Sequence, residues 1–159
     1  MGSSLLTRSG NQSLRKGRFS LKGQIYHVTT RAQADTKPFA AAESAYVVCA
    51  AFHATSRLVD ATLLAWVLMP DHAHWLIELG EQHTLSVVVG KLKSAAAGAI
   101  NRFHDSPARA NVWQAGFYDR AIRHDEDVLT VARYVVANPL RAGLVTRLGD
   151  YPWWNSIWL

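Results

Sequence analysis

The sequence ATLLAWVLMPDHAHWLIEL, at residues 61–79, predicts a β-hairpin. Its first part, ATLLAWVLM (61–69), is a continuous apolar run of strand length that ends at a turn, which is typical of a buried strand. Pro70 and Asp71 supply that turn, and HAHWLIEL (72–79) follows as the second strand of the hairpin. We therefore expect these two strands to form the centre of an antiparallel sheet.

Two histidines stand at alternate positions of the second predicted strand. Because side chains alternate between faces along a strand, His72 and His74 point to one face of the sheet. Ala73, Trp75 and Ile77 point to the opposite face, where we expect a layer of helices. Two adjacent imidazoles form half of a metal site, but a bare His-x-His pattern is also typical of exposed strand histidines.

A strand and a helix are predicted before the hairpin. GQIYHVTTR (23–31) alternates and is rich in β-branched and aromatic residues, as strands are. The segment 41–58 follows a loop and carries apolar residues at helical spacing. Its predicted core stripe consists of Tyr46, Cys49, Ala50 and His53.

A helix, a strand and a last helix are predicted after the hairpin. Thr84 caps the first helix, whose apolar stripe consists of Leu85, Val88, Val89, Leu92, Ala96, Ala99, Ile100 and Phe103. FYDRAIRH (117–124) is the fourth strand. The last helix covers 125–138, because Pro139 disfavours helical geometry in the residue before it.

This order of elements predicts an α+β, ferredoxin-like βαββαβ fold. Such a fold has a four-stranded antiparallel sheet with both helices on one face. The additional C-terminal helix at 125–138 then has only the other face to pack on. The aromatic segment 151–159 is expected to act as a lid or latch. Residues 1–16 are expected to be a flexible basic tail, and 17–159 a single domain.

Composition narrows the class of protein. The chain has 159 residues and a formal net charge of +5. Its only cysteine, Cys49, excludes a disulfide framework and a cysteine-rich zinc cluster. No apolar run reaches the roughly 20 residues that a membrane span needs, and no secretory signal is visible near the start. The sequence therefore predicts a cytoplasmic protein with no membrane partner.

The charge favours a polyanionic partner. Six basic and no acidic residues lie within 1–31, and arginines outnumber lysines 12 to 5. Arginine suits bidentate contact with phosphates and base edges, so nucleic acid is the expected partner. An ordinary basic surface is the alternative interpretation.

A tyrosine and an asparagine one turn apart are the remaining candidates for chemistry. Tyr134 and Asn138 are spaced i, i+4 and so share one face of the last predicted helix. A tyrosine hydroxyl becomes a nucleophile when a metal polarises its target or a base takes its proton. An Asn138 carbonyl could add a third ligand to two histidines. The alternative is a core tyrosine and an asparagine that caps the helix before Pro139.

These motifs together resemble a known family. VLMPDHAHWLIEL (67–79), NVWQAGFYDRAIRHDEDVLTVARYVVANPLRAGLV (111–145) and GDYPWWNS (149–156) look like segments of the REP-associated tyrosine transposases. These proteins belong to the HUH nuclease superfamily, and REP denotes repetitive extragenic palindromes. GRFSLKGQIYHVTTR (17–31) is similar to the family's first strand. The resemblance covers nearly all of residues 17–156, with the motifs in the right order.

The resemblance implies an activity and a set of site residues. His72 and His74 match the metal ligands, Tyr134 the nucleophile, and Asn138 the polar residue that completes the metal site. Family members cleave single-stranded DNA at a REP hairpin with Mg²⁺ or Mn²⁺ and form a 5′-phosphotyrosine. The expected partner is therefore single-stranded hairpin DNA, which would place the protein at the bacterial nucleoid when DNA is bound. A monomer is favoured, and a homodimer is the alternative.

Three basic groups are candidates for DNA contact, with a solvated charged surface as the alternative for each. They are Arg15, Lys16, Arg18 and Lys22 near the start, Lys91 and Lys93 on the second helix, and Arg120, Arg123 and His124 at the fourth strand. Unpaired bases could stack on Trp113, Phe117 and Tyr118. The histidines interpreted as structural or surface residues are His27, His53, His83 and His104.

Two other functions stay open at this stage. A hairpin-binding protein that no longer cleaves is the first, although such a protein has no need of all four residues His72, His74, Tyr134 and Asn138. A zinc-binding regulatory domain is the second, although the sequence lacks a further Cys or His cluster.

Overall fold

A computed structural model describes residues 21–106 and 110–158. Its strands are β1 (Ile25–Arg31), β2 (Ala61–Leu68), β3 (His72–Leu79), β4 (Tyr118–Ala121) and β5 (Trp154–Ser156). Its helices are α1 (Ala42–Ser56), α2 (Leu85–Phe103), α3 (Val128–Val136) and α4 (Asn138–Arg141), with a 3₁₀ turn at Leu148–Asp150. The predicted tail 1–16, with Arg15 and Lys16, and the neighbouring residues up to 20, with Arg18, lie outside the described residues.

Within the described ranges the strands form one antiparallel sheet in the order β4-β1-β3-β2-β5. The first four strands have the ferredoxin-like order, so the predicted fold class is confirmed. The predicted hairpin is also present, because β2 and β3 pair on either side of the Pro70–Asp71 turn. β1 pairs with β3 on the other side, which places residues 25–31 beside residues 72–78.

The C-terminal segment was expected to be a lid or latch, and it is instead an edge strand. β5 pairs with β2, with Ala65 opposite Ser156 and Val67 opposite Trp154. The free edge of a strand offers unpaired backbone N–H and C=O groups, and a short strand satisfies part of them. The sheet therefore has five strands in the described part of the chain, one more than predicted.

One face of the sheet is covered by α1 and α2. The side chains at alternate positions of β3, Ala73, Trp75 and Ile77, are fully buried there, as the alternation predicts. Phe52 of α1 meets the edges of two tryptophans, with ring centroids 5.5 Å from Trp66 and 5.2 Å from Trp75. Edge-to-face packing of large rings is a favourable arrangement. These rings belong to the main core, which lies between the sheet and the two helices.

The opposite face receives α3. Its buried residues Val131, Ala132, Val135 and Val136 pack on apolar side chains of β2 and β3. The expected position of the extra helix is thus confirmed. In the described part of the chain, no helix combines the length and the apolar character that a membrane span requires.

The predicted helix faces had different outcomes. The buried residues of α2 match the predicted stripe except for Phe103, which is 48% exposed. For α1 the prediction was wrong, because Tyr46 and His53 are exposed whereas Ala45, Val48 and Phe52 are buried. α1 carries apolar or small side chains on most of its circumference, so polarity does not mark the face that packs.

The last predicted helix is divided in two. Asp127 caps α3 by accepting a hydrogen bond from the Leu129 N–H at 3.2 Å, and α3 ends at Val136. A separate short helix, α4, begins at Asn138 with Pro139 in its first turn. Proline fits there because the first turn of a helix needs no backbone N–H donor. The prediction of a single helix over 125–138 was wrong at both ends, because α3 begins at Val128 and ends at Val136.

Candidate active site

The two histidines of β3 lie side by side on the face that carries α3. The ring centroids of His72 and His74 are 5.0 Å apart, and the rings are nearly perpendicular. The register of β1 and β3 places Arg31 opposite His72 and Thr29 opposite His74. Because paired residues of an antiparallel ladder share a face, His27, two residues before Thr29, also lies on this face. The sheet thus brings three imidazoles together.

Each β3 imidazole is held through its Nδ1 atom. His72 Nδ1 lies 2.6 Å from Asp71 Oδ1. His74 Nδ1 lies 3.0 Å from His27 Nε2 and 3.0 Å from Thr29 Oγ1. No residue in the described ranges forms a hydrogen bond with Nε2 of either ring. Both rings are therefore oriented by their neighbours and keep Nε2 for another ligand.

This donor set fits a divalent cation. Histidines that bind metals usually engage their second ring nitrogen with a carboxylate, a carbonyl or another polar group, and the contacts of His72 and His74 have this form. Among the residues the structure describes, no group of three or more His, Cys, Asp and Glu side chains is arranged to hold a metal. Two imidazoles leave the other positions around a divalent ion to oxygen ligands, such as an amide, a phosphate or water, which Mg²⁺ and Mn²⁺ prefer.

Burial and nearby charges favour the neutral form of His74 and His27. Burial, and then the charges of His72, His27, Arg141 and Arg31, lower the pKa of His74 to about 3. Burial also lowers the pKa of His27, with contributions from Arg120 and Arg141. Only a neutral imidazole has a lone pair for a metal, so His74 is ready to bind at neutral pH.

Asp71 is an ionised partner for His72. Burial alone would raise the pKa of this carboxyl, but the hydrogen bond and the charge of His72, together with the charge of Arg31, lower it below its usual value. An ionised carboxylate only accepts hydrogen bonds, so the proton of a neutral His72 lies on Nδ1. Its Nε2 then presents a lone pair.

Tyr134 lies on α3, the helix that packs on the face of the sheet that carries the histidines. Its side chain is 57% exposed, so the alternative of a core tyrosine is wrong. The guanidinium carbon of Arg141 lies 3.6 Å from the centre of the Tyr134 ring, which is a cation–π contact between α3 and α4. The next residue, Val135, packs with Val67, and Val67 pairs with His74 across the hairpin. This packing ties the tyrosine helix to the strand next to the histidines.

Asn138 lies in the turn between the two helices. It starts α4 and so does not share a helix with Tyr134, in contrast to the prediction from spacing. Its side-chain Nδ2 donates a hydrogen bond to the Val135 carbonyl at 2.7 Å. The amide nitrogen is therefore occupied, and the amide oxygen is the atom left for a ligand.

The family model "Transposase IS200 like" matches residues 20–138. This range begins before β1 and ends at Asn138, so it contains both histidines of β3 and Tyr134. The chain belongs to the IS200-like transposase family. The family resemblance noted from the motifs is thereby confirmed.

Two curated relatives carry the name REP-associated tyrosine transposase. One, from Escherichia coli K12, is 28% identical over 90 residues, which cover 55% of this chain and 50% of the relative. The match thus spans only half the length of that relative. The other, from Haemophilus influenzae, is assigned to the same group and is 25% identical over 142 residues, which cover 83% of this chain and 79% of the relative.

Two solved structures support the fold. A REP-associated tyrosine transposase bound to a REP hairpin matches with a TM-score of 0.68 and 22% identity, over 86% of this chain and 79% of that one. A Deinococcus radiodurans R1 protein classed as a transposase matches with a TM-score of 0.56 and 19% identity, over 76% and 95%. At these identities the likeness establishes the architecture.

The predicted DNA-contact residues lie in different environments. Lys22 pairs with Glu81, both exposed, and Lys91 is exposed on α2. Lys93 was expected on the exposed side of that helix, but it is half-buried. Its ammonium group donates to the carbonyls of Gln114 at 2.9 Å and Gly116 at 2.8 Å. Lys93 therefore fastens the loop before β4 to α2.

The group at β4 is partly engaged within the chain. Arg120 donates from Nη1 to both carboxylate oxygens of Glu126, at 2.7 and 2.8 Å, which engages one nitrogen of its guanidinium. Arg123 Nε lies 3.5 Å from Asp125, and both side chains are exposed. Arg123 and His124 border a cavity of about 330 Å³ that Lys22 also lines. The sheet thus brings two of the predicted basic groups to one cavity.

The three aromatic candidates for base stacking differ in exposure. Trp113 is buried, and its indole N–H donates to the Lys93 carbonyl at 3.0 Å. Phe117 is half-buried against the main core. Tyr118 is exposed and pairs with Thr29, which pairs in turn with His74. Only Tyr118, of these three, is both exposed and on the face of the histidines.

Sequence reasoning missed His27, which was grouped with structural histidines. The other three fit that prediction, since His53 is exposed, His83 accepts the Asp60 N–H at 3.0 Å, and His104 lies 3.2 Å from Ser44 Oγ. Two features of the sequence could have predicted that His27 lies near His74. Its strand alternates, and the ferredoxin-like order predicts that β1 pairs with β3.

Proposed function

We propose that this chain is a metal-dependent endonuclease and strand transferase for single-stranded hairpin DNA of the REP type. The observation that carries the proposal is the conjunction of an exposed Tyr134 with two imidazoles whose Nε2 atoms are not engaged by described residues. An exposed tyrosine, a pair of held histidines and an amide are the parts that a phosphotyrosine mechanism requires.

The proposed reaction is a transesterification at phosphorus. The Tyr134 oxygen attacks the scissile phosphate, a new O–P bond forms, and the bond from phosphorus to the 3′ oxygen breaks. The phenol proton leaves to solvent, and the departing 3′ oxygen takes up a proton to become a free 3′-OH. A 5′-phosphotyrosine remains on the protein, and attack by a 3′-OH reverses the step without an external energy source.

The side chains divide the work of this reaction. A divalent cation held by His72, His74 and Asn138 would neutralise charge on a non-bridging phosphate oxygen. Arg141 holds the Tyr134 ring through its cation–π contact, and Val135 anchors the helix on β2. Alignment of the nucleophile and charge neutralisation are the main requirements of phosphoryl transfer, so a rigid tyrosine matters more than a strong base.

The proposed DNA contacts follow the exposed basic residues. Lys22, Arg123 and His124 surround the 330 Å³ cavity and are assigned to phosphates there, and Lys91 to a hairpin groove. Glu126 engages Nη1 of Arg120 and neutralises part of its charge, so its contribution is expected to be smaller. Phosphate contact is also predicted for Arg15, Lys16 and Arg18. The monomeric state likewise stays a prediction.

The test is formation of a covalent adduct. The full chain is incubated with a labelled single-stranded REP hairpin and Mn²⁺, and the products are separated on a denaturing gel. We expect a protein–DNA adduct in the wild type and none in Tyr134→Phe, with hairpin affinity within a few-fold. Tyr46→Phe is the matched control, because Tyr46 is also an exposed tyrosine but belongs to a helix on the other face.

Two outcomes would contradict the proposal. An adduct in Tyr134→Phe would mean that another residue attacks the phosphate. Tight hairpin binding without any adduct in the wild type would favour the non-cleaving hairpin-binding protein.

A further inference from the structure

We propose that His27 is a positioning residue that sets the tautomer of His74. His27 accepts the Nδ1–H of His74 and so turns the lone pair of Nε2 toward the metal position. The consequence for metal binding rests on the proposed function, whereas the tautomer itself is a property of the metal-free chain.

The contact is built into the central strands. His27 Nε2 lies 3.0 Å from His74 Nδ1, and the two ring centroids are 5.2 Å apart with planes tilted by 36°. Thr29 pairs with His74 across β1 and β3, and His27 pairs with Leu76, so His27 and His74 are diagonal neighbours. Both imidazoles are half-buried, and the sheet holds their backbones.

Only one of two tautomers of His74 can bind a metal through Nε2. When the proton is on Nδ1, it is donated to a neighbour, and Nε2 has a lone pair. When the proton is on Nε2, Nδ1 accepts a hydrogen bond, and the ring presents an N–H to the metal position. The partner of Nδ1 therefore decides whether His74 is a ligand.

The two β3 histidines differ in the partner of their Nδ1 atom. Asp71 is ionised and only accepts, so it sets the proton of His72 on Nδ1. At His74 no carboxylate of residues 21–106 or 110–158 contacts Nδ1, and the neighbours there are a threonine hydroxyl and an imidazole, each at 3.0 Å. The hydroxyl can donate or accept and so selects neither tautomer. The Nε2 atom of His27 accepts when the His27 proton lies on Nδ1, and in that state it fixes the proton of His74 on Nδ1.

The first measurement is the tautomer of His74 in the metal-free full-length chain, from the ¹⁵N shifts and long-range ¹H–¹⁵N couplings of its ring. We expect the Nδ1–H form in the wild type. In His27→Ala we expect a shift toward the Nε2–H form, which free histidine prefers in water. A wild-type His74 in the Nε2–H form would overturn the proposal without any variant being needed.

The second measurement is the affinity for Mn²⁺ alone, followed by electron paramagnetic resonance. Loss of the partner of a ligating histidine typically costs roughly 10- to 100-fold in metal affinity, and we expect this loss in His27→Ala. His27→Gln retains an amide oxygen that accepts the Nδ1–H, so its affinity should stay within about threefold of the wild type, a small fraction of that loss. His53→Ala, at an exposed histidine of α1, is the matched control and should leave the affinity unchanged.

These results separate the inference from the proposed function. The expected tautomer and a specific loss of Mn²⁺ affinity in His27→Ala would support the role of His27 even if the wild type formed no DNA adduct. Equal Mn²⁺ affinity in His27→Ala and wild type, or an equal loss in His27→Gln, would overturn the role even if the adduct formed.

Discussion

The two faces of the sheet differ in how much of their surface the helices cover. α1 and α2 cover the first face with a continuous apolar core that contains Phe52 and Trp75. On the second face, α3 has nine residues and packs on β2, β3 and β5. Toward β1 and β4 the second face carries His27, Thr29 and Tyr118 instead of an apolar layer.

Because of this difference, the first face contributes most of the folding stability and the second face carries the candidate functional residues. Burial of apolar surface drives folding, and most of the fully buried large side chains lie on the first face. Ligand-binding groups must stay accessible, and the incomplete cover of the second face leaves room for them. We therefore expect substitutions on the two faces to affect different measurements.

The largest effect is expected for a substitution of a proposed metal ligand on the second face. A bound metal contributes several kcal/mol to stabilising the transition state, so His72→Ala should lower the cleavage rate by about a thousandfold or more. The urea midpoint should change little, because the ring is not part of either apolar core. The single-turnover cleavage rate and the urea midpoint, measured on the same preparation, test this separation.

Asn138→Ala serves as the graded counterpart. An amide oxygen is a weaker ligand than an imidazole, and water can replace it. We expect a partial loss of cleavage that a higher Mn²⁺ concentration restores, whereas His72→Ala should not be restored. Undiminished adduct formation by His72→Ala, or full activity in the presence of a chelator, would contradict the metal assignment.

A substitution in the first face should lower the free energy of unfolding and leave the Mn²⁺ affinity unchanged. Truncation of a buried aromatic ring to alanine typically costs about 3–5 kcal/mol, so Phe52→Ala should lower the free energy of unfolding by that amount. Where the variant is still folded, its Mn²⁺ affinity should equal that of the wild type. A marked loss of Mn²⁺ affinity in the folded variant would show that the two faces are coupled.

A smaller effect is expected at the contact between Arg141 and the proposed nucleophile, Tyr134. An exposed cation–π pair contributes roughly 0.5–1 kcal/mol, so Arg141→Ala should lower the cleavage rate by about two- to fivefold while the adduct still forms. Arg133→Ala, at an exposed arginine of the same helical region, is the control for the loss of one positive charge. Equal rates for the two variants would assign the effect of Arg141 to net charge alone.

The smallest effect is expected where the C-terminal segment is fastened to β2. The Tyr151 hydroxyl donates a hydrogen bond to the Leu68 carbonyl at 2.6 Å, and such a bond contributes about 1 kcal/mol. Burial, and then the charge of Cys49, raise the pKa of Tyr151 to about 12. Because Tyr151→Phe removes this hydrogen bond, it should destabilise the chain by about 1 kcal/mol at pH 8, where the hydroxyl is protonated.

The pH dependence of this difference has a defined sign. Because the pKa is higher in the folded chain than in the unfolded one, the stabilisation by Tyr151 is present below pH 10 and is lost as the pH rises toward 12. The difference between wild type and Tyr151→Phe, measured by urea unfolding from pH 8 to 11.5, should shrink over this range. A constant difference would contradict the raised pKa.

Several features follow from the sequence because their signals are local. The apolar run 61–69, the turn at Pro70 and the alternation of 72–79 predict the hairpin and place His72 and His74 on one face. The stripe of α2 is equally readable, because polar residues clearly mark its other side. Where that contrast is weak, as in α1, the sequence predicted a helix but the wrong buried face.

The tertiary structure alone decided which side chains meet. His27 and His74 are 47 positions apart in the chain, and their contact depends on the register between β1 and β3. The burial of Lys93 depends on the path of a loop, and the contact of Arg141 with Tyr134 depends on how α4 restarts after α3. Alternation and helical periodicity determine the face of a single element, whereas pairing and packing between elements are settled by the sum of many weak contacts across the whole fold.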